Sequence, residues 1–318
     1  MEKLLTYVFC CLAYITYAQR PVIYDKPMID DSQIRFERLT SEDGLSHNRI
    51  TDIIQDSHGF VWIATVDGLN RYDGKQFEIY KHNLDNFTSL TSSFISCIAE
   101  NIKGEIFIGT NRGLNKYNRL TNSFISIGLD KMNQYPSIRQ ILFDNDSILW
   151  IETGDGYLIK FDINHSLILK AYHHDPADQQ YYLYHDIYKD KQGILWIGMR
   201  GRDPMYLDVE KDQLVKIYSN AVDITKKRAN DMACYYEDTH GNFWFTALDG
   251  IYLFDRETKK FRKFLGTTTY DVKEDSSGNI WFATGSGVMR YNPEKNVITL
   301  MKNEKDNPNS ISNNSVHK

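Results

Sequence analysis

Cysteine is scarce in this 318-residue chain, at four residues, so the fold does not depend on a disulfide framework. Charge of one sign is scarce too. A formal net charge of −5 gives no electrostatic reason to expect nucleic acid or an anionic membrane as partner. Long hydrophobic runs are missing beyond the first 18 residues, and those residues read as a secretory signal. Lys3 supplies the basic start, residues 4–14 a short apolar core, and Thr16-Tyr17-Ala18 a small-residue cleavage site before Gln19. The apolar stretch is short for a membrane span, with an uncleaved anchor as the alternative. The mature chain is therefore expected to be periplasmic, with no membrane contact of its own. Catalytic signatures are also lacking. There is no His-x-x-x-His or Cys/His cluster of metal-ligand spacing, no Walker loop and no nucleophile elbow, so neither a metal nor a cofactor is expected.

What the chain does have is a repeat. Its five tryptophans, Trp62, Trp150, Trp196, Trp244 and Trp281, occupy one position of a recurring motif, and Phe107 fills the sixth place. The intervals are 45, 43, 46, 48 and 37 residues. The same frame precedes each aromatic, as in Asp-Ser-His-Gly-Phe-Val-Trp at 56–62 and Asp-Thr-His-Gly-Asn-Phe-Trp at 238–244. A period in the forties with an aromatic on a short apolar run marks a propeller blade. Within the first repeat, four short apolar runs are separated by turns containing Asp67-Gly68 and Asp73-Gly74, which are hairpin signals. A lone four-stranded meander cannot bury both faces, so copies must stack radially. The predicted fold is all-β: a β-propeller of four-stranded antiparallel blades, with the aromatic column filling the wedges between blades. Cys97 and Cys234 fall at equivalent places in repeats three apart, too far for a disulfide.

Both ends of the repeat region carry partial copies. Phe36-Glu37-Arg38-Leu39-Thr40 resembles the outer run Phe77-Glu78-Ile79-Tyr80-Lys81. The segment 307–316 copies the lead-in to a first strand. The expected organisation is a signal at 1–18, a leader at 19–33 and a propeller over 34–318. That propeller comprises an outer closing strand at 36–40, six full repeats over about 46–305 and the start of a seventh at 310–318. A seven-bladed type cut short inside its last blade is the expectation, with a six-bladed ring as runner-up.

In such a ring the Asp-x-x-Gly turns share one face. The lead-ins and the turns between second and third strands share the other, which surrounds the channel mouth. That face would present Asn48, Arg49, Arg112, Arg139, Tyr182, Tyr184, Arg200, Arg202, Asn230, Asp231 and Asp249. Such planar and hydrogen-bonding groups suit sugar hydroxyls or an anionic substituent such as a uronate or sulfate. A solvated loop ring has the same composition. The fourth repeat departs most from its siblings, with Gly198-Met199-Arg200-Gly201-Arg202-Asp203-Pro204 and an aromatic lead-in at 172–185.

The run from Phe60 to Gly74, preceded by Asp43-Gly44-Leu45-Ser46, resembles the two-component regulator propeller repeat. The likeness is to the start of the periplasmic sensor region of hybrid two-component systems from Bacteroides-type bacteria, and extends from about Ile34 to the end of the chain. The resemblance implies an exported seven-bladed propeller followed by a second propeller, an immunoglobulin-like domain, a membrane helix, a histidine kinase and response-regulator modules. It also implies sensing of oligosaccharides and control of glycan-utilisation genes. None of the kinase, phosphoacceptor or DNA-binding parts lies in these 318 residues. Signalling therefore requires a downstream kinase-bearing segment or a partner, and a homodimer is a further expected partner. The alternatives are a secreted propeller enzyme, either a lyase or a glycosidase with channel carboxylates, an interaction scaffold, or a truncated non-functional fragment.

Overall fold

Alternating apolar runs and tight turns generate the same four-stranded unit six times. The computed structural model describes residues 28–29, 34–129, 136–173, 185–199, 204–217 and 232–317. Blade 1 consists of strands Ile50–Gln55, Val61–Thr65, Gly68–Tyr72 and Phe77–Tyr80, antiparallel and in sequential order. Blades 2 to 6 repeat this arrangement over residues 95–127, 138–173, 185–216, 232–265 and 269–301. Inner strands of consecutive blades pack side by side from blade 1 to blade 6.

The aromatic column sits between blades, as its period predicts. Trp62 of blade 1 is buried in one cluster with Ile98, Ile106, Ile108, Tyr117 and Phe124 of blade 2. Phe107 packs with Ile141 and Ile151 of blade 3, and Trp150 with Leu195 and Ile197 of blade 4. Trp196 meets Tyr235, Phe243 and Phe245 of blade 5, and Trp244 meets Phe282 and Met289 of blade 6. Five boundaries thus carry five clusters of large aromatic area, the main source of stability in a stack of sheets. Cys97 and Cys234 are buried thiols in two different clusters.

In four of the six frames the opening Asp has a double task, whereas Asp144 of blade 3 pairs with Lys189 and leaves its turn to Asn145. Asp56 accepts the backbone N–H groups of His58 and Phe60 through Oδ1, closing the turn, and the Trp62 indole N–H through Oδ2 at 2.8 Å. Asp190, Asp238 and Asp275 hold Trp196, Trp244 and Trp281 in the same way at 2.7, 2.8 and 2.7 Å. Where the aromatic is Phe107, which has no N–H to offer, the opening residue is Asn101, whose Oδ1 still closes the turn. The recurring glycine of the next turn is equally physical. At Gly287 φ is +131°, and a Cβ would fall 2.3 Å from the Met301 carbonyl oxygen.

The N-terminal partial copy departs from expectation. Residues 36–40, expected as an outer closing strand, form no strand. Instead Met28–Ile29, within the expected leader, pairs in parallel with the outer strand Val297–Met301 of blade 6, Met28 opposite Ile298. The Phe36 N–H nevertheless donates to the Asn309 carbonyl at 2.9 Å, as the Phe124 N–H of blade 2's outer strand donates to Thr88 at 2.8 Å. The segment 304–311 also reproduces the lead-in of blade 2. Ser310 Oγ bonds the backbone of Glu304 as Ser89 Oγ bonds that of Asn83, and Ile311 is buried like Leu90. Six blades are present among the described residues.

Candidate functional site

Strand direction separates the chemistry of the two faces. On the lead-in face, Ser46 and Asn70 exchange hydrogen bonds while Ser46 Oγ meets Thr65 Oγ1 at 2.9 Å. Thr91, Asn115 and Thr110 repeat that arrangement in blade 2. Asn70 and Asn115 are fully buried, so the crossings into blades 1 and 2 are pinned from below rather than loose.

On that platform Arg49, Arg112 and Arg139 are exposed. They come from the lead-in of blade 1, the second-to-third-strand turn of blade 2 and the inner strand of blade 3. None of the three is ion-paired to a described residue. Gly154 leaves room for Arg139, since a Cβ there would lie 3.3 Å from the arginine Nε. Two other predicted site residues have structural partners. Asn48 Oδ1 accepts the Ser41 N–H at 2.7 Å and holds the short 3-10 turn Ser41–Asp43. Asp249 accepts Tyr252 Oη at 2.7 Å and pairs with Lys263 Nζ at 3.2 Å. Burial, then the Asp249 hydrogen bond, push the Tyr252 phenol up, so it stays protonated as the donor. Asp67 and Lys81 form the matching pair in blade 1 at 2.7 Å. Tyr182, Tyr184, Arg200, Arg202, Asn230 and Asp231 lie outside the described residues.

The opposite face holds two copies of a network that the motif search missed. Arg119, in the last turn of blade 2, reaches back to Asp56 at 3.0 Å and to Glu100 at 3.3 Å. Arg256 of blade 5 reaches Asp190 at 2.7 Å and Glu237 at 3.0 Å, with its guanidinium 4.6 Å from the Phe243 ring centre. Each arginine joins the buried carboxylate that already holds a tryptophan of the preceding blade. Burial alone would raise the Asp56 carboxyl; bonds from Trp62, Arg119 and two backbone N–H groups outweigh it and hold it below the ordinary value of 3.8. The signal was present in sequence: Arg119 and Arg256 follow the third strand at the same place, and Glu100 and Glu237 end the matching inner strands.

Residues 44–67 and 178–201 match the family described as two component regulator propeller. A stretch of 61 residues, 19% of this chain, is 43% identical to Histidine kinase P4 of Formosa agariphila, of which it spans 4%. Among solved structures, the extracellular domain of a hybrid two-component system from B. thetaiotaomicron is similar with a TM-score of 0.73 and 25% identity. The likeness covers 89% of this chain and 38% of that one. The extracellular domain of a one-component system from the same organism shares the fold, with a TM-score of 0.70 and 17% identity over 89% and 37% of the two chains. This chain spans well under half the length of these relatives. Two segments of the chain thus match the two-component regulator propeller repeat, and the similar solved structures are extracellular domains of such signalling systems.

Proposed function

We propose that this propeller is the extracytoplasmic sensing module of a two-component signal transduction receptor. It recognises an oligosaccharide bearing an anionic group and controls glycan-utilisation genes through a kinase-bearing segment or partner outside these residues. The observation that carries the reading is the trio Arg49, Arg112 and Arg139, exposed on the lead-in face with no carboxylate partner among the described residues. A guanidinium offers planar, paired donors that fit a uronate or sulfate. The pinned crossings beneath Ser46 and Thr91 supply a rigid floor, which lowers the ordering cost of binding. No catalytic role is assigned to these side chains. The mature chain is periplasmic, and homodimerisation would couple ligand binding to signalling. The ring is of seven-bladed type, a reading supported by the likeness of the Phe36–Asn309 contact to the Phe124–Thr88 contact.

Calorimetry of the purified chain against uronate-bearing, sulfated and neutral oligosaccharides tests the sensing role. Binding of an anionic member, weakened at least about tenfold by the Arg49→Ala/Arg112→Ala/Arg139→Ala variant, is the expected result; tenfold corresponds to about 1.4 kcal/mol. Unchanged affinity in that variant would overturn the site.

A further inference from the structure

Three lead-in segments fold through one small turn. In blade 1 the Arg49 N–H donates to His47 Nδ1 at 2.8 Å. In blade 2 the Phe94 N–H donates to Ser92 Oγ at 3.0 Å, and beyond blade 6 the Ser315 N–H donates to Asn313 Oδ1 at 2.8 Å. His47, Ser92 and Asn313 stand at equivalent places, directly after Ser46, Thr91 and Ser312. Each accepts from the backbone two residues on, which tightens the crossing before the inner strand begins. The carbonyl of the donating residue is fixed as well. Arg49 accepts the Val66 N–H at 3.3 Å, as Phe94 accepts the Asn111 N–H at 3.3 Å. Arg49 is thus held at both of its backbone groups, and its side chain starts from a defined place on the lead-in face.

A hydroxyl or an amide oxygen suffices for this turn, as Ser92 and Asn313 show. Imidazole does the same job and leaves a second nitrogen over. Because a backbone N–H can only donate, Nδ1 carries the lone pair and the proton of the neutral ring sits on Nε2. With Nδ1 turned to the backbone, the Nε2–H is directed away from it. His47 is exposed, and its Nε2 has no partner among the described residues. The carboxylates of this lead-in and of the facing turn are engaged elsewhere. Asp43 accepts the Thr40 N–H and hydroxyl at 2.8 and 3.0 Å, and Asp67 pairs with Lys81 at 2.7 Å.

We infer that His47 is a further contact residue of the anion site, donating its Nε2–H to an oxygen of the uronate or sulfate that Arg49 engages. Its Nδ1 at the same time sets the turn that carries Arg49. Guanidinium and Nε2–H together offer donors and no acceptor. That set matches an oxyanion, which only accepts, better than a hydroxyl, which also has a proton to place. The turn bond fixes the tautomer before the ligand arrives, so the donor is ready without reordering. The inference rests on the anion-sensing reading of this face.

Sodium sulfate is the probe, with sodium chloride at equal ionic strength as control, and side-chain nitrogen NMR spectra of the 318-residue chain are the readout. At about pH 8, where imidazoles are neutral, His47 should show the Nε2-protonated tautomer. Sulfate should shift the His47 Nε2 and Arg49 Nε resonances along one saturating curve. His47→Asn keeps the turn acceptor that Asn313 supplies and lacks the outward donor. Sulfate should then bind about fivefold more weakly by the Arg49 resonance, with Tm unchanged. His47→Ala removes both functions and should weaken binding about tenfold or more. An Nδ1-protonated ring overturns the inference. So does wild-type affinity in His47→Asn, because the imidazole then only shapes the turn. A response of Arg49 with a silent His47 Nε2 overturns the inference alone and leaves the sensing role standing. No saturable response at Arg49, Arg112 or Arg139 overturns the anion reading together with it.

Discussion

The two faces of this propeller use arginine in opposite ways. On the turn face, Arg119 and Arg256 are half-sunk between blades and each engages two carboxylates, one of them the buried partner of a tryptophan. On the lead-in face, Arg49, Arg112 and Arg139 stand in solvent without a described counter-ion. The same side chain is an inter-blade tie where a carboxylate is within reach and an unfilled contact where none is. The difference teaches that a cation's role here is set by which turn it occupies.

The sharpest way to break the comparison is to remove the shared carboxylate. Asp56→Ala leaves Arg119 with Glu100 alone, the Trp62 indole N–H unsatisfied and a turn unclosed, and should cost about 3–5 kcal/mol in urea unfolding. A loss under about 1 kcal/mol would mean that the tie is ornamental. Removing the cation should cost less: Arg119→Met and Arg256→Met are each expected to lose about 1.5–3 kcal/mol. Because the ties sit three blades apart, the double variant should show additive losses.

Acid offers a third handle. The Asp56 and Asp275 carboxyls are held below 3.8: burial pulls each upward, and donors headed by Trp62 and Trp281 respectively outweigh it. A depressed carboxyl contributes stability in full above its unfolded pKa and loses it as pH falls through the folded value. The wild-type chain should therefore lose stability below about pH 4 more steeply than Asp56→Asn, as read by midpoints from pH 5 to 2. The smallest effects belong to the other face. Arg49→Ala, Arg112→Ala and Arg139→Ala should each stay within about 0.5 kcal/mol of wild type while weakening anion binding. A larger loss from any one would show that it, too, is a structural tie.

The six full repeats and the aromatic column were legible because period and patterning are local: the six aromatics mark the six blades among the described residues and lie where their spacing puts them. What a loop side chain touches was not legible. Asn48 and Asp249 look like ligand contacts as letters, yet Asn48 caps a turn seven residues away and Asp249 meets a lysine returning fourteen residues later. Those partners depend on how the chain doubles back, which no short window records. The Asp–Trp bond was legible only in part: the six-residue interval marks it in four blades, but Asp144 and Trp150 share the interval without the bond, their turn being closed by Asn145. The closing role given to residues 36–40 rested on their likeness to an outer strand, but without a third strand beside them they do not form one.

The inner strands carry one further consequence. Among the described residues their channel-side edges have no strand to pair with, and the neighbouring blade supplies side-chain acceptors instead: Asp52 for the Ile98 N–H, Gln140 for Ile187 and Asp186 for Tyr235. These three amides are held by the adjacent blade and not by their own sheet. Their hydrogen–deuterium exchange is therefore a gauge of blade separation, at three known places around the ring. A ligand that tightens the ring should slow exchange at Ile98, Ile187 and Tyr235 ahead of amides inside any single blade, turning a packing detail into a site-resolved readout of how far a signal spreads.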